Sequence, residues 1–169
     1  MEKELNYLFA AETDYSDFEI FLKMGHLSNN IGMLAQQACE KYLKHMLCLA
    51  EGIGKDQNYK IPNLSETDNP QCHNLVYLSS RLYKNDDISL KYSIRQNLSD
   101  LTNIYRTVRY PDAPGYHIIT KGELDICKIT VLGIKKAALQ MNQEYTKKHK
   151  LETSIIKTNI DYDKNIDLD

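Results

Sequence analysis

The amino-acid sequence predicts an all-α protein, an up-and-down bundle of four long helices and one short helix. Apolar residues recur at alternating three- and four-residue steps over long segments, which is the spacing that gives a helix one buried face. No segment shows the sustained two-residue alternation of a half-buried strand. There is no internal repeat either, so we expect one helical bundle over residues 1–150.

The composition is that of an ordinary globular chain. Its 169 residues are 42% hydrophobic and 26% charged, which suits a single domain with a core of its own. A net charge of −2 argues against a surface coated in positive charge for non-specific binding to nucleic acid or membrane. The charged beginning and the lack of a long uncharged run predict a cytoplasmic protein that does not use a membrane. The four cysteines are widely scattered, so we expect reduced thiols, no metal site and no cofactor.

The first two helices are predicted from a glycine and a capping side chain. The first helix should run from about Lys3 to Met24 and end at Gly25. Ser28 or Asn29 can then cap the second helix through a side-chain oxygen. This second helix carries a broad apolar stripe, so it should be well buried.

The middle of the chain is predicted as a long loop followed by a short helix and a long one. Residues 52–71 show no convincing periodicity, and a connection of that length is usually functional or mobile. A shorter third helix is expected from about Asn74 to Tyr83. The fourth should end near Arg109 or Tyr110, because the following Pro111 disfavours helical geometry in the residue before it.

The fifth helix has the most regular apolar pattern of the chain. It should begin at Thr120 or Lys121, and its buried stripe continues to Tyr145. Several lysines lie on its outer side, which is more typical of a solvated face than of a nucleic-acid patch. Residues 151–169 are dominated by polar side chains, and we expect them to form a flexible C-terminal tail.

The turn between the fourth and fifth helices collects side chains that could carry chemistry. Arg106, Arg109, Tyr110, Asp112 and His117 lie close together in the sequence around two prolines and a glycine. A guanidinium can hold a phosphate with two hydrogen bonds, and an imidazole can transfer a proton near neutral pH. The alternative is structural, because cations at a helix C-terminus are stabilised by the helix dipole. Arg109 paired with Asp112 and a surface-loop His117 would then have no catalytic role.

Three short motifs resemble the HEPN domain, a family named for its occurrence in higher eukaryotic and prokaryotic nucleotide-binding proteins. The segment 37–44, QACEKYLK, is similar to the signature of the family's second helix. His73-Asn74-Leu75 resembles the start of its third helix, and Arg109-Tyr110-Pro111-Asp112 resembles the end of its fourth helix in one bacterial and archaeal branch. The resemblance extends from the first helix to about Tyr145.

The resemblance implies a homodimer that places the fourth-helix turns of two subunits near one cleft. Several branches are metal-independent ribonucleases or toxins, and others are non-catalytic partners of a minimal nucleotidyltransferase. The ribonuclease branches carry an arginine and a histidine closer together than the seven-residue gap between Arg109 and His117. In a cleaving site His117 would act as general acid or base, Arg109 would stabilise the developing charge, and Asp112 would orient the imidazole.

Further residues could face the same cleft and contribute to binding. Tyr110, Arg106, Gln37, Lys41 and His73 are candidates for contacting a nucleotide or RNA. A solvated helix face explains Gln37 and Lys41 equally well, and local backbone contacts at a helix start would explain His73. We therefore expect a nucleotide- or RNA-associated module, partner of a minimal nucleotidyltransferase in a system of toxin–antitoxin type. The alternatives are an active ribonuclease and a structural dimer that binds only protein.

Overall fold

The computed structural model describes residues 6–25, 27–55, 73–83 and 92–166, and in this part of the chain the regular structure is helical. The helices are α1 (Tyr7–Met24), α2 (Asn29–Ala50), α3 (Leu75–Tyr83), α4 (Tyr92–Arg109) and α5 (Lys121–Ile166). They pack as the predicted all-α bundle of four long helices and one short helix. The first five residues, most of the loop 52–71 and Cys72 lie outside the described residues.

Local signals in the sequence define the helix ends. Gly25 adopts a left-handed conformation, φ 71°, and closes α1 with a hydrogen bond to the carbonyl of Leu22. The Ser28 hydroxyl caps α2 by accepting from the amide of Asn30. Helix α4 ends at Arg109, two residues before Pro111, as the sequence predicts. The backbone of α5 stays helical to Ile166, through most of the segment predicted as a flexible tail.

Helix α2 is the centre of the bundle, since it packs against all four other helices. Buried residues cover most of its circumference, including Tyr42, Leu43, Met46 and Leu47. A helix that is apolar on nearly all sides must be surrounded by others, and this is the position that the broad apolar stripe predicts.

The approach of α4 to α2 depends on a glycine. A Cβ at Gly32 would lie 3.2 Å from Val108 and 3.3 Å from Ile104. It would also lie 3.4 Å from Ile119, which follows the turn after α4. The absence of a side chain therefore lets the last turn of α4 pack closely on the first turns of α2.

A polar network connects α1, α2 and α5 inside the bundle. Glu12 accepts a hydrogen bond from the Tyr42 hydroxyl at 2.7 Å and pairs with the Lys135 ammonium at 2.6 Å. The ammonium also lies 3.7 Å from the centre of the Tyr15 ring. Each buried polar group in this network has a partner, which is the condition under which polar groups stabilise a core.

Two further observations bear on the predictions made from composition. Cys39, Cys48 and Cys127 are buried, and burial raises the pKa of each of these thiols. Across the described residues, no helix is both long enough and apolar enough to cross a membrane.

Candidate functional site

The turn between α4 and α5 is a compact loop with its own hydrogen bonds. The amide of Ala113 donates to the carbonyl of Tyr110 at 2.9 Å, and the amide of Tyr116 donates to the carbonyl of Ala113 at 3.1 Å. Gly115 has φ 82°, a left-handed conformation that glycine adopts with little strain. These consecutive turns carry the chain from the end of α4 to His117.

A single side chain at the start of α2 fastens this loop to the bundle. Nδ2 of Asn29 donates to the carbonyls of Val108, at 3.0 Å, and His117, at 3.2 Å. Its Oδ1 accepts from the amide of Ile119 at 2.9 Å. Asn29 therefore fixes the end of α4 and the backbone of His117 at the same time.

The side chain of His117 is held at both ring nitrogens. Nδ1 faces the carbonyl of Gly115 at 2.7 Å, and Nε2 faces the carboxylate of Glu123 at 2.8 and 3.0 Å. Both partners are acceptors, so both nitrogens donate only when the ring is a cation. The hydrogen bond to Gly115 and the pairing with Glu123 raise the pKa of His117 above its ordinary value.

Glu123 also caps α5. Its Oε2 accepts from the amide and the hydroxyl of Thr120, each at 2.8 Å, while the amide of Glu123 donates to the Thr120 hydroxyl at 3.3 Å. This is a capping box, with Thr120 at the N-cap and Glu123 three residues later. Partial burial opposes ionisation, but the hydrogen bonds from Thr120 and His117 outweigh it and lower the pKa of Glu123.

Among the described residues, Arg109 makes no hydrogen bond or ion pair with His117 or Glu123. Its guanidinium lies 5.1 Å from the ring centres of both Tyr105 and Tyr110, within the range of a cation–π contact. Among the described residues no ion pair joins Arg109 to Asp112, so the predicted structural clamp is not present there. Arg106, Tyr110 and Asp112 are all exposed at the same end of α4.

His73 makes contacts that its position at a helix start did not predict. Its Nδ1 faces Oε2 of Glu40 on α2 at 2.9 Å, and its carbonyl accepts from Nε2 of Gln36 at 2.7 Å. The hydrogen bond to Glu40 raises the pKa of His73, against smaller lowering effects of burial and of the Lys44 and Arg109 charges. His73 is thus anchored to α2 over a long distance in sequence and lies within electrostatic range of Arg109.

The remaining predicted binding residues lie on α2. Lys41 pairs with Asp14 of α1 at 2.5 Å, so its ammonium connects two helices of the bundle. Gln37 is half-buried, and its neighbour Gln36 provides the contact to His73. In the part of the chain with described structure, no three His, Cys, Asp or Glu side chains are grouped as a metal site would require.

The structure thus divides the predicted site residues into two groups. The His117 side chain is engaged at the capped start of α5, whereas the His73 side chain is engaged by α2, and the charge of Arg109 acts on His73. The sequence pattern does not reveal the role of three residues in this geometry: Asn29 is predicted only as a cap, Gln36 only as part of the polar side of the second helix, and Glu123 is not singled out. The Thr-x-x-Glu spacing of the capping box could have indicated Glu123.

No protein-family model matches this chain, and no curated protein or solved structure is similar enough to be a match. The resemblance to the HEPN family rests on the three sequence motifs given above.

Proposed function

We propose that this chain is a HEPN-type module that binds a nucleotide or RNA without cleaving it. It would work as the partner of a minimal nucleotidyltransferase in a system of toxin–antitoxin type. The proposal combines the motif resemblance with the geometry around α4, in which the arginine and the histidine of the predicted catalytic pair have different surroundings.

The observation that carries the non-cleaving part is the double engagement of His117. A general base needs a ring nitrogen with a free lone pair within hydrogen-bond reach of the proton it removes. Both nitrogens of His117 face protein acceptors, at 2.7 Å and 2.8 Å, and the raised pKa favours the cation. An imidazolium fixed in this way cannot accept a further proton, and to act as a general acid it would have to give up its hydrogen bond to Gly115 or to Glu123.

Arg109 supports the binding part. Arg109 is an exposed residue, and its guanidinium lies over two tyrosine rings without a carboxylate partner among the described ion pairs. Stacking on aromatic faces leaves the planar fork of N–H donors available for a phosphate. With Arg106 exposed one turn earlier on α4, this end of the bundle offers two cations to an anionic ligand.

The test measures binding and cleavage together. A fluorescein-labelled single-stranded RNA is titrated with the protein in EDTA, followed by anisotropy, and the same samples are run on a denaturing gel. We expect intact RNA to bind, and Arg109→Gln to bind about ten-fold more weakly, since one charge-assisted contact is lost. The control is Arg81→Gln, which removes an arginine at the end of α3 far from His73. This variant should bind RNA like the wild type.

Two results would contradict the proposal. Cleavage that disappears in both Arg109→Ala and His117→Ala would establish the ribonuclease alternative. A wild-type protein that neither binds nor cleaves RNA, and that binds no labelled nucleotide, would leave only the structural dimer.

The partnership is tested separately by co-expression with a minimal nucleotidyltransferase encoded in a neighbouring gene. We expect the two chains to elute together in size-exclusion chromatography. Elution of both as separate species at micromolar concentration would refute the partnership and would leave the binding activity untouched.

A further inference from the structure

The position of His73 relative to α4 follows from two contacts of α2. Gln36 is buried and lies one helical turn after Gly32, the residue on which Val108 and Ile104 pack. Its Nε2 donates to the His73 carbonyl at 2.7 Å. The backbone of His73 is therefore held about one turn of α2 away from the place where the end of α4 crosses that helix.

The end of α4 that carries Arg109 crosses α2 close to this level. Helices α2 and α4 run in opposite directions, because Asn29 at the start of α2 binds the carbonyl of Val108, while Gly32, further along α2, also packs on Ile104, further back along α4. The guanidinium of Arg109 lies between two rings, 5.1 Å from the centre of Tyr105, one turn back along α4, and 5.1 Å from the centre of Tyr110. Because the two helices are antiparallel, a step back along α4 from its last turn runs beside a step forward along α2 from Gly32 to Gln36. Gln36 is the residue that holds the backbone of His73.

The charges of this cluster do not balance. Glu40 uses Oε1 for the Lys44 ammonium at 2.7 Å and Oε2 for His73 at 2.9 Å. Glu40 therefore serves two cationic groups, Lys44 and His73, while the charge of Arg109, which lowers the pKa of His73, has no carboxylate partner among the described ion pairs. Both oxygens of Glu40 are already used by Lys44 and His73. An anion bound between the exposed side chains of His73 and Arg109 would compensate the excess positive charge.

The ring of His73 keeps one nitrogen for a ligand. Nδ1 is used by Glu40, while Nε2 has no hydrogen bond among the described residues, and the side chain is 61% exposed. Glu40 thus orients the imidazole and favours its charged form, as carboxylates do for functional histidines. Beneath it, Oε1 of Gln36 is buried without a hydrogen-bond partner in the described structure, an unusual feature for a group whose role is only packing.

We propose that Nε2 of His73 and the guanidinium of Arg109 together bind one phosphate group of the ligand. This inference rests on the proposed function and specifies where the anionic part of the nucleotide or RNA is held. The shared chemistry is a phosphate oxygen that accepts from two cationic donors on different helices. The source is either the terminal phosphate of a free nucleotide or a phosphodiester within RNA.

The experiment uses three probes with the full-length protein: inorganic phosphate, AMP, and a five-nucleotide single-stranded RNA with hydroxyl ends. Binding is followed by the imidazole signals of His73 in proton–nitrogen NMR, assigned by comparison with His73→Gln. We expect probe addition to shift the His73 signals, and affinity to fall about ten-fold in His73→Gln and in Arg109→Gln. His149→Gln, which removes the imidazole of the exposed His149–Glu152 pair on α5, should bind like the wild type.

The pH dependence gives a second signature. His73 must be protonated to donate from Nε2 while Nδ1 donates to Glu40. Binding should therefore weaken as the pH rises above 6.5 and through the raised pKa of His73 in the presence of Glu40, Lys44 and Arg109. With the RNA probe, whose phosphodiesters keep one charge over this range, the pH dependence should be lost in His73→Gln, while weak binding through Arg109 remains.

The outcomes separate this inference from the function on which it rests. RNA or AMP that binds His73→Gln and wild type equally would overturn the phosphate site and leave the binding function standing. No binding of any probe to the wild type would refute both. Binding of AMP and phosphate without the RNA identifies a free nucleotide as the source, and binding of the RNA alone identifies a phosphodiester.

Discussion

Two histidine–glutamate pairs stand at the starts of two helices, and they differ in what they leave available. His117 and Glu123 are six residues apart and belong to one capping box, in which both ring nitrogens are engaged. His73 and Glu40 are 33 residues apart and join α3 to α2, with one ring nitrogen engaged. A short distance between an imidazole and a carboxylate is therefore not enough to identify a catalytic pair. The second nitrogen decides whether the ring can interact with a ligand.

Glu40 should contribute more to stability than a glutamate in an exposed histidine–glutamate pair. Glu40 neutralises Lys44, which is buried on α2, so Glu40→Ala would leave a buried ammonium without its counter-charge. We expect a loss of about 3 kcal/mol in the free energy of unfolding, measured by urea denaturation followed by circular dichroism. Glu152→Ala breaks an exposed pair with His149 and should cost at most about 0.5 kcal/mol. Equal losses in the two variants would show that Lys44 reaches water without Glu40.

The loop that carries His117 depends on Asn29, whereas the His73 cluster does not contact it. Asn29→Ala removes three hydrogen bonds and leaves the amide of Ile119 without its acceptor. We expect a loss of about 2 kcal/mol in unfolding free energy, again by urea denaturation. Asn30→Ala, one position along and exposed, is the matched control and should change stability by less than about 0.5 kcal/mol. A small effect of Asn29→Ala would mean that water replaces these bonds.

The difference between the two regions also explains what the sequence could predict. Helix ends follow from neighbours in the chain: Gly25 ends α1, Ser28 caps α2, and Pro111 stops α4. Such effects act over one helical turn, so they can be seen in the sequence. The order of the apolar stripes likewise predicts the bundle.

The two candidate sites could not be predicted in the same way. The contacts of Asn29 span 79 to 90 residues, and that between His73 and Glu40 spans 33. Nothing local in the sequence encodes a hydrogen bond between helices that meet only after folding. The motif resemblance placed Arg109 with His117 because they are close in the chain, while the charge of Arg109 acts on His73 in the folded protein.

Removing Glu123 should lower the free energy of unfolding less than removing Glu40. Glu123→Ala abolishes the capping box and the partner of His117, but it leaves no buried charge, since the His117 side chain is 38% exposed. We expect a loss of about 1 kcal/mol, as for other N-terminal capping interactions. Thr120→Ala tests the cap without removing the carboxylate, and the difference between the two variants measures the contribution of the histidine. A Glu123→Ala loss as large as that of Glu40→Ala would remove the distinction between the pairs.

The smallest expected effect is the dependence of stability on pH. Both histidines have raised pKa values, so the stability they contribute is fully present below the ordinary value of 6.5 and is lost as the pH rises through the raised values. Both glutamates have lowered pKa values, so their contribution is present above 4.5 and is lost as the pH falls through the lowered values. Unfolding free energy from urea titrations should therefore have a shallow maximum between pH 4.5 and 6.5.

The two pairs can be separated within this pH range by the imidazole signals in NMR. Glu123→Gln should lower the pKa of His117 without moving that of His73, and Glu40→Gln should do the reverse. Because Gly115 still accepts from Nδ1 of His117, the pKa of His117 should fall less in Glu123→Gln than that of His73 falls in Glu40→Gln. A larger fall at His117 would mean that Gly115 contributes little, and that Nδ1 of His117 is free to exchange a proton with a ligand. That result would restore His117 as a candidate general base and reverse the roles assigned to the two histidines.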